Sequence, residues 1–405
     1  MRILLSTIGS RGDVQPLVAL AHQLRTLRHE ARLCVPPDFR EWIEGLGFPV
    51  VPIGPDVRQA SMARSRATAP PSQEQLRQII DATVATQFET IGAAAKGCDV
   101  IVSATALQVA ARSIAETMEI GYVFAAYCPV VLPSPHHAPP ALPPAPGEEP
   151  ASPAADNREL WARNAARTNA TFRDALNAHR APLRLTPIDD VRRYMFTDRP
   201  WLPADPTLAP WPDPGDQAVF QTGAWILPDE RPLSRQLTAF LEAGEPPLYF
   251  GFSSMRVEQN LGQTLIDAAR AVGRRAIVSR GWADLSAIDE PDCLTIGEEN
   301  LQELFTRVAA IVHHGGAGTT TIAALAGTPQ VVVPQMYDQH YFARRIQELG
   351  IGTAHAAGAP TTESLTVALE RTLQRPVAAR ARAIGADVRR DGAQAAAERL
   401  VRGQL

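Results

Sequence analysis

The chain has 405 residues, of which 45% are hydrophobic and 20% charged, with a formal net charge of −4. That length exceeds one ordinary core and fits two domains of about 200 residues each. The weak negative charge excludes a general pull toward nucleic acid or an anionic membrane surface. No apolar run reaches the ~18 residues of a membrane span.

The first stretch, "MRILLSTIGSRGD", turns polar after about eight residues, too soon for a signal peptide, and reads as a strand. "RILLST", "ARLCV", "FPVVPI", "DVIVSA" and "GYVFAA" follow one another as apolar strands. Amphipathic segments such as "PLVALAHQLRTLRH" lie between most of them. Near-continuous apolar strands alternating with helices predict a parallel sheet covered on both faces. Cys34, Cys98, Cys128 and Cys293 are scattered, without C-x-x-C spacing for zinc or redox chemistry. Cys34 and Cys293 read as buried, inert thiols, and a reducing cytoplasm is the expected location.

The alternation breaks between Pro129 and Pro153, where ten of 25 residues are proline. Regular helix or sheet is excluded there. A disordered insert and an ordered loop over a cleft both remain open. A helical stretch, "NRELWARNAARTNATFRDALNAHRA", and a second proline-rich tract follow. The α/β alternation then restarts with "PPLYFGFSS", "RRAIVS", "DCLTIG", "AAIVHH" and "PQVVVP". This predicts two doubly wound domains facing each other: residues 1–210, a linker at 211–232, and residues 233–405. Ligands of such sheets sit at the carboxyl ends of the strands.

Two loops at those ends carry the chemistry. In "VHHGGAGTT" a strand hands over to a helix through glycine-rich backbone. Such a turn leaves N–H groups pointing outward, and the helix dipole favours an anion there. A purely structural turn is the competing reading. The adjacent His313 and His314 cannot readily share one metal ion, and no third ligand stands at useful spacing. Asp338-Gln339, at the end of the next strand, pairs a carboxylate with an amide, a good receptor for sugar hydroxyls. The same Asp338 also suits a helix N-cap. In "SRGDVQP", Asp13 suits either a helix-start device or a general base. His22 lies within the first helix and reads as a packed or surface residue.

The pattern H-H-G-G-A-G-T-T, then G-x-P-Q, then D-Q resembles the nucleotide-sugar signature of GT-B glycosyltransferases. Within them it resembles the bacterial natural-product enzymes that glycosylate vancomycin-type glycopeptide aglycones. "LLSTIGSRGDVQPLVALA", "LPSPHHAPP", "QTGAWILPDERPLS" and "SRGWADL" carry the same resemblance nearly end to end, most loosely between residues 55 and 190.

The resemblance implies a cleft between two Rossmann-like domains, with a dTDP- or UDP-sugar held mainly by the second. His314, Gly316, Ala317, Gly318 and Thr319 would surround the diphosphate. Ser10, Arg11, Gly12 and Ser254 would approach it from other loops, and Asp338 and Gln339 would hold the hexose. Ile296 and Gly297 fall where relatives place the base, and Trp282 either stacks on it or belongs to the core. Tyr127, His136, His137 and Trp161 would face the acceptor. Asp13 would be the general base of an inverting transfer, with Asp338 a second carboxylate in the cleft. No D-x-D motif is present, and the expectation is transfer without metal or cofactor by a monomer or weak dimer. The acceptor would be a glycopeptide, or another aglycone such as a macrolide, polyketide or sterol-like compound. A sugar-nucleotide epimerase and a non-catalytic transferase helper share this fold and are the rival readings. "GSRGD" lacks the G-x-G-x-x-G spacing of a dinucleotide enzyme.

Overall fold

A computed structural model describes residues 1–60, 72–141, 150–152, 154–212, 218–252, 261–281, 290–356 and 358–405. Among these residues the apolar runs form thirteen strands in two all-parallel sheets. The first sheet contains β1 (Arg2–Thr7), β2 (Glu30–Val35), β3 (Val50–Pro52), β4 (Val100–Ala104), β5 (Gly121–Ala125), β6 (Trp201–Leu202) and β7 (Phe220–Gln221), in the order β3-β2-β1-β4-β5-β6-β7. The second contains β8 (Leu248–Gly251), β9 (Ala276–Ser279), β10 (Cys293–Ile296), β11 (Ala310–His313), β12 (Gln330–Val332) and β13 (Gly352–Ala354), in the order β10-β9-β8-β11-β12-β13.

The reason is visible in β1. Ile3, Leu4 and Leu5 are all fully buried, because one face meets the helix Arg11–Thr26 and the other meets Cys34, Ile91 and Ile114. That helix presents Val14, Leu17, Val18, Ala21 and Leu24 to the sheet at helical spacing. Each buried Val or Leu side chain here stabilises the fold by about 1.5–3 kcal/mol.

Each strand order reverses beside its own first strand, between β1 and β4 and between β8 and β11. A crevice opens at the carboxyl ends of both pairs. The loop carrying Ser10–Asp13 leaves β1 into one crevice, and the loop carrying His314–Gly316 leaves β11 into the other.

The division of the chain differs from the sequence expectation at two places. Phe220–Gln221 pairs as β7 in the first sheet, so that sheet extends into the segment read as linker. The helix Gly392–Val401, placed by sequence in the second domain, packs its Ala393, Ala396, Ala397 and Leu400 into the first core, beside Leu17 and Leu20. Small side chains on its inner face let the two helices approach closely. Gly392 lies against Gly223, where an added Cβ would stand 2.3 Å from the Gly223 carbonyl carbon.

The two units also touch directly. Phe342, on the helix Gln339–Glu348, is buried among Cys128, Val130, Leu202 and Ala204. Arg345 of the same helix donates to the carbonyls of Leu208 and Thr207 at 3.0 and 3.2 Å.

Candidate active site

The glycine-rich loop follows from the end of β11. The last strand residue, His313, is fully buried and both its ring nitrogens are engaged. Nε2 meets Oε1 of Gln330 at 2.9 Å, and Nδ1 accepts from the Gly315 N–H at 3.1 Å. Burial lowers its pKa to about 3, with the neighbouring His314 adding to the shift, so the ring is neutral. His313 therefore shapes the turn. Gly315 then adopts φ +94, and a Cβ there would come within 2.6 Å of Val332 Cγ1. Only glycine fits both demands.

Gly316 begins the helix Ala317–Leu325 without a side-chain cap. The first helical bond of this end runs from Thr320 N to the Gly316 carbonyl at 3.0 Å. The N–H groups of Ala317, Gly318 and Thr319 precede it and are left for a ligand. Thr320 and Thr321 turn their hydroxyls back onto the Gly316 and Ala317 carbonyls. Thr319 is the hydroxyl not spent on the helix. His314 stands beside this opening, and a Cβ on Gly316 would meet its Nε2 at 2.6 Å. Its Nδ1 is buried with no partner among the described residues. Burial lowers the His314 pKa to about 4, against the opposing pull of the Gly251 backbone. A neutral imidazole with one N–H to give is what this environment leaves.

The facing loop comes from β1. Asp13 folds back on the chain: its Oδ2 accepts from Ser10 N at 2.6 Å and from Ser10 Oγ at 3.1 Å. The helix-start reading of "SRGD" is thus realised. Gly9 makes it possible, since a Cβ there would stand 2.2 Å from that same oxygen. Burial raises the Asp13 pKa, opposed by the two Ser10 bonds. Gly12 is exposed on the outer side of this turn. Arg11 lies 3.4 Å over the Trp42 ring and reaches Oε1 of Glu298, in the second domain, at 3.1 Å.

Asp338 occupies the N-cap position of the helix Gln339–Glu348, yet its side chain makes no capping bond. The capping reading is not realised, and the carboxylate is left to the cleft. Burial, and next the charge of Asp13, push its pKa up to about 7. The two acids, one from each domain, thus act on each other through their charges. Gln339 Oε1 accepts from Gln335 N at 2.8 Å and Met336 N at 3.1 Å, so this amide also ties the preceding loop.

Several expected positions behave differently. Ile296 buries its side chain in the second core with Leu294 and Leu304, and its carbonyl accepts from Arg280 N. Gly297 beside it is open, with nothing within 4 Å of an added Cβ. Tyr127 donates its hydroxyl to the Asp13 carbonyl at 3.0 Å, which makes it a support of the first loop. Trp161 is buried, and its Nε1 donates to the His137 carbonyl at 2.8 Å. His137 in turn meets the Leu132 carbonyl at 2.9 Å and lies edge-on to Trp161 and Trp211. These residues order the described part of the proline-rich loop. His136 is exposed at its surface. Ser254 and Trp282 lie outside the described residues. Among the described residues no three His, Cys, Asp or Glu side chains group to hold a metal ion, and no helix is long and apolar enough to cross a membrane.

Sequence reasoning missed Gly9, Trp42, Cys128 and Glu298. Gly9 had a signal: a glycine four residues before an acid at a strand end. Glu298 had a weaker one, an acidic pair following Gly297.

The chain is similar to known proteins along nearly its whole length. Residues 3–133 match the glycosyltransferase family 28 N-terminal domain, and residues 265–398 match the erythromycin biosynthesis protein CIII-like C-terminal domain. The glycosyltransferase GtfE of Amycolatopsis orientalis is 48% identical over 99% of this chain and 97% of its own. The vancomycin aglycone glucosyltransferase of the same organism is 47% identical, again over 99% and 97%. The chain belongs to the GT-B glycosyltransferases of bacterial natural products. A third relative of this glycosyltransferase, the dTDP-epi-vancosaminyltransferase of Amycolatopsis orientalis, is 44% identical over 94% of this chain and 92% of its own. Solved structures share the fold. The glycotransferase of kitacinnamycin superposes with a TM-score of 0.73 at 18% identity, covering 100% of this chain and 99% of that one. The glycosyltransferase VinC, in complex with dTDP, gives 0.66 at 21% identity, covering 99% of each.

Proposed function

We propose that this glycosyltransferase moves a hexose from a dTDP- or UDP-sugar to a hydroxyl of a natural-product aglycone, a glycopeptide, with inversion and without a divalent metal. One observation carries the reading: Gln339, next to Asp338, backs onto the glycine-rich turn, where a Cβ on Gly315 would stand 3.1 Å from its carbonyl oxygen, beside a helix start whose first N–H groups are open, and the charge of Asp13 reaches Asp338 from the other domain. The relatives named for a vancomycin aglycone and a dTDP-sugar support the choice of substrates.

In this reading the nucleotide diphosphate sits on the N–H groups of Ala317, Gly318 and Thr319, with Gly316 giving access. His314 and Thr319 donate to it, and Arg11 supplies a positive charge. Asp338 and Gln339 hold hexose hydroxyls. Asp13 takes the proton of the acceptor hydroxyl as its oxygen bonds to the anomeric carbon. The bond from that carbon to the diphosphate oxygen breaks on the opposite face, and the diphosphate leaves with the electron pair. General base catalysis contributes about 10²–10⁴-fold, and preorganised donors at the departing charge supply a comparable or larger share. The reaction would take place in the cytoplasm, with the enzyme a monomer or weak dimer.

The test is incubation with dTDP-glucose and UDP-glucose, each with vancomycin aglycone, with and without a chelator. A product heavier by one hexose, with β-configuration at the new linkage from an α-donor and the same yield under chelation, is the expected result. Retention of configuration, or product only with added metal, would refute the mechanism. Nucleotide release without acceptor would favour chemistry on the donor alone.

A further inference from the structure

Residues 127–130, which follow β5, touch the segments that carry both cleft carboxylates. Tyr127 serves one side: its hydroxyl donates to the Asp13 carbonyl at 3.0 Å, and its ring packs on the first core. Cys128 serves the other. It is buried with Val130 against Phe342, on the helix that Asp338 starts, and the charge of Asp338 helps to raise its thiol pKa. Cys128 is extended, with φ −147 and ψ 139, and neighbouring side chains in extended backbone point to opposite sides. One short segment is thus packed against the carriers of both acids.

The Tyr127 ring has a second neighbour. Trp225 meets it edge-on, with centroids 6.3 Å apart. Trp225 is buried, and its Nε1 donates to Thr222 Oγ1 at 3.0 Å. Thr222 adjoins Gly223, which adopts φ +88 and lies against Gly392. Here the chain leaves the first domain, and here its last helix returns.

We infer that Tyr127 is a positioning residue for the transfer: its hydroxyl fixes the main chain carrying Asp13, and its ring couples that main chain to the domain crossing at Trp225. Asp13 is then held twice, by Ser10 at the carboxylate and by Tyr127 at the carbonyl. A phenol has one proton to donate, so a hydroxyl spent on Asp13 does not also donate to an acceptor. Burial keeps it protonated, since its pKa is raised well above the ordinary value. Small displacements of a reacting group matter: about 1 Å can cost 10²-fold in rate.

The inference rests on the reading of Asp13 as the base. Its test compares Tyr127→Phe, Asp13→Asn and the double variant with dTDP- or UDP-glucose and vancomycin aglycone. Tyr127→Phe keeps the ring on Trp225 and removes only the hydroxyl. It should lower kcat about tenfold, leave KM for both substrates unchanged, and lower the melting temperature by no more than about 4 °C. The double variant should be no slower than Asp13→Asn alone, because holding residue 13 in place matters only while it carries the base. Wild-type kcat in Tyr127→Phe, a rise in acceptor KM instead, or an additive loss in the double variant would overturn the inference. If Asp13→Asn is inactive while Tyr127→Phe is normal, the positioning role alone falls. If Asp13→Asn is fully active, the base assignment falls and takes the positioning role with it.

Discussion

The Arg11 guanidinium bridges the domains by meeting the Glu298 carboxylate at 3.1 Å, while its flat face lies on Trp42. Arg231 approaches the same carboxylate at 3.8 Å and is itself paired with Asp229. The Glu298 side chain is 61% exposed, and such pairs contribute only about 0–1 kcal/mol. Without a ligand, Glu298 is thus a weak and replaceable counter-ion for Arg11.

A nucleotide diphosphate that recruits Arg11 must displace Glu298. Glu298→Gln should therefore tighten dTDP or UDP binding by about two- to fivefold at low salt, an effect that shrinks as salt screens the exposed charges. Calorimetry at two salt concentrations checks this. Weaker binding in the variant would instead make Glu298 a ligand contact.

His314→Ala should weaken nucleotide binding by about ten- to a hundredfold, the cost of one hydrogen bond to a charged group. Because burial holds the His314 pKa near 4, the ring stays neutral in the working range. The ratio of wild-type to variant affinity should hold constant between about pH 5.5 and 8. A ratio that grows as pH falls through 6.5 would mean that a protonated imidazole binds the phosphate.

Asp338 yields a stability prediction. Its pKa is raised from 3.8 to about 7, first by burial and then by Asp13. Between those values the folded chain holds a proton that the unfolded chain has released. Folding therefore weakens as pH rises through that window. Asp338→Asn should remove this slope, matching wild type near pH 4 and melting at least about 2 °C higher above pH 7. Thermal denaturation across the window measures it, and parallel curves would show that the carboxyl titrates normally.

Much of this was legible in the chain. Strands such as Arg2–Thr7 and Ala310–His313 announce themselves because parallel strands buried on both faces are unbroken apolar runs. The two crevices follow from strand ends and glycine spacing alone. What pattern does not carry is which partner a side chain takes across the sequence. His313 and His314 are adjacent, yet one is fixed by Gln330 and the other stands against Gly316, where an added Cβ would meet its Nε2 at 2.6 Å. Tyr127 reads as one more aromatic near a proline-rich loop, while its partner Asp13 is 114 residues away. The return of Gly392–Val401 to the first core is equally hidden, since its alanine-rich face would suit either domain.

The most direct measurement is on Asp13→Asn, read twice: calorimetric affinity for dTDP and UDP, and kcat for transfer to vancomycin aglycone. The account predicts nucleotide affinity within about twofold of wild type and kcat reduced by at least about 10²-fold. Transfer within a few-fold of wild type, or affinity lost in step with rate, would contradict Asp13 as the base.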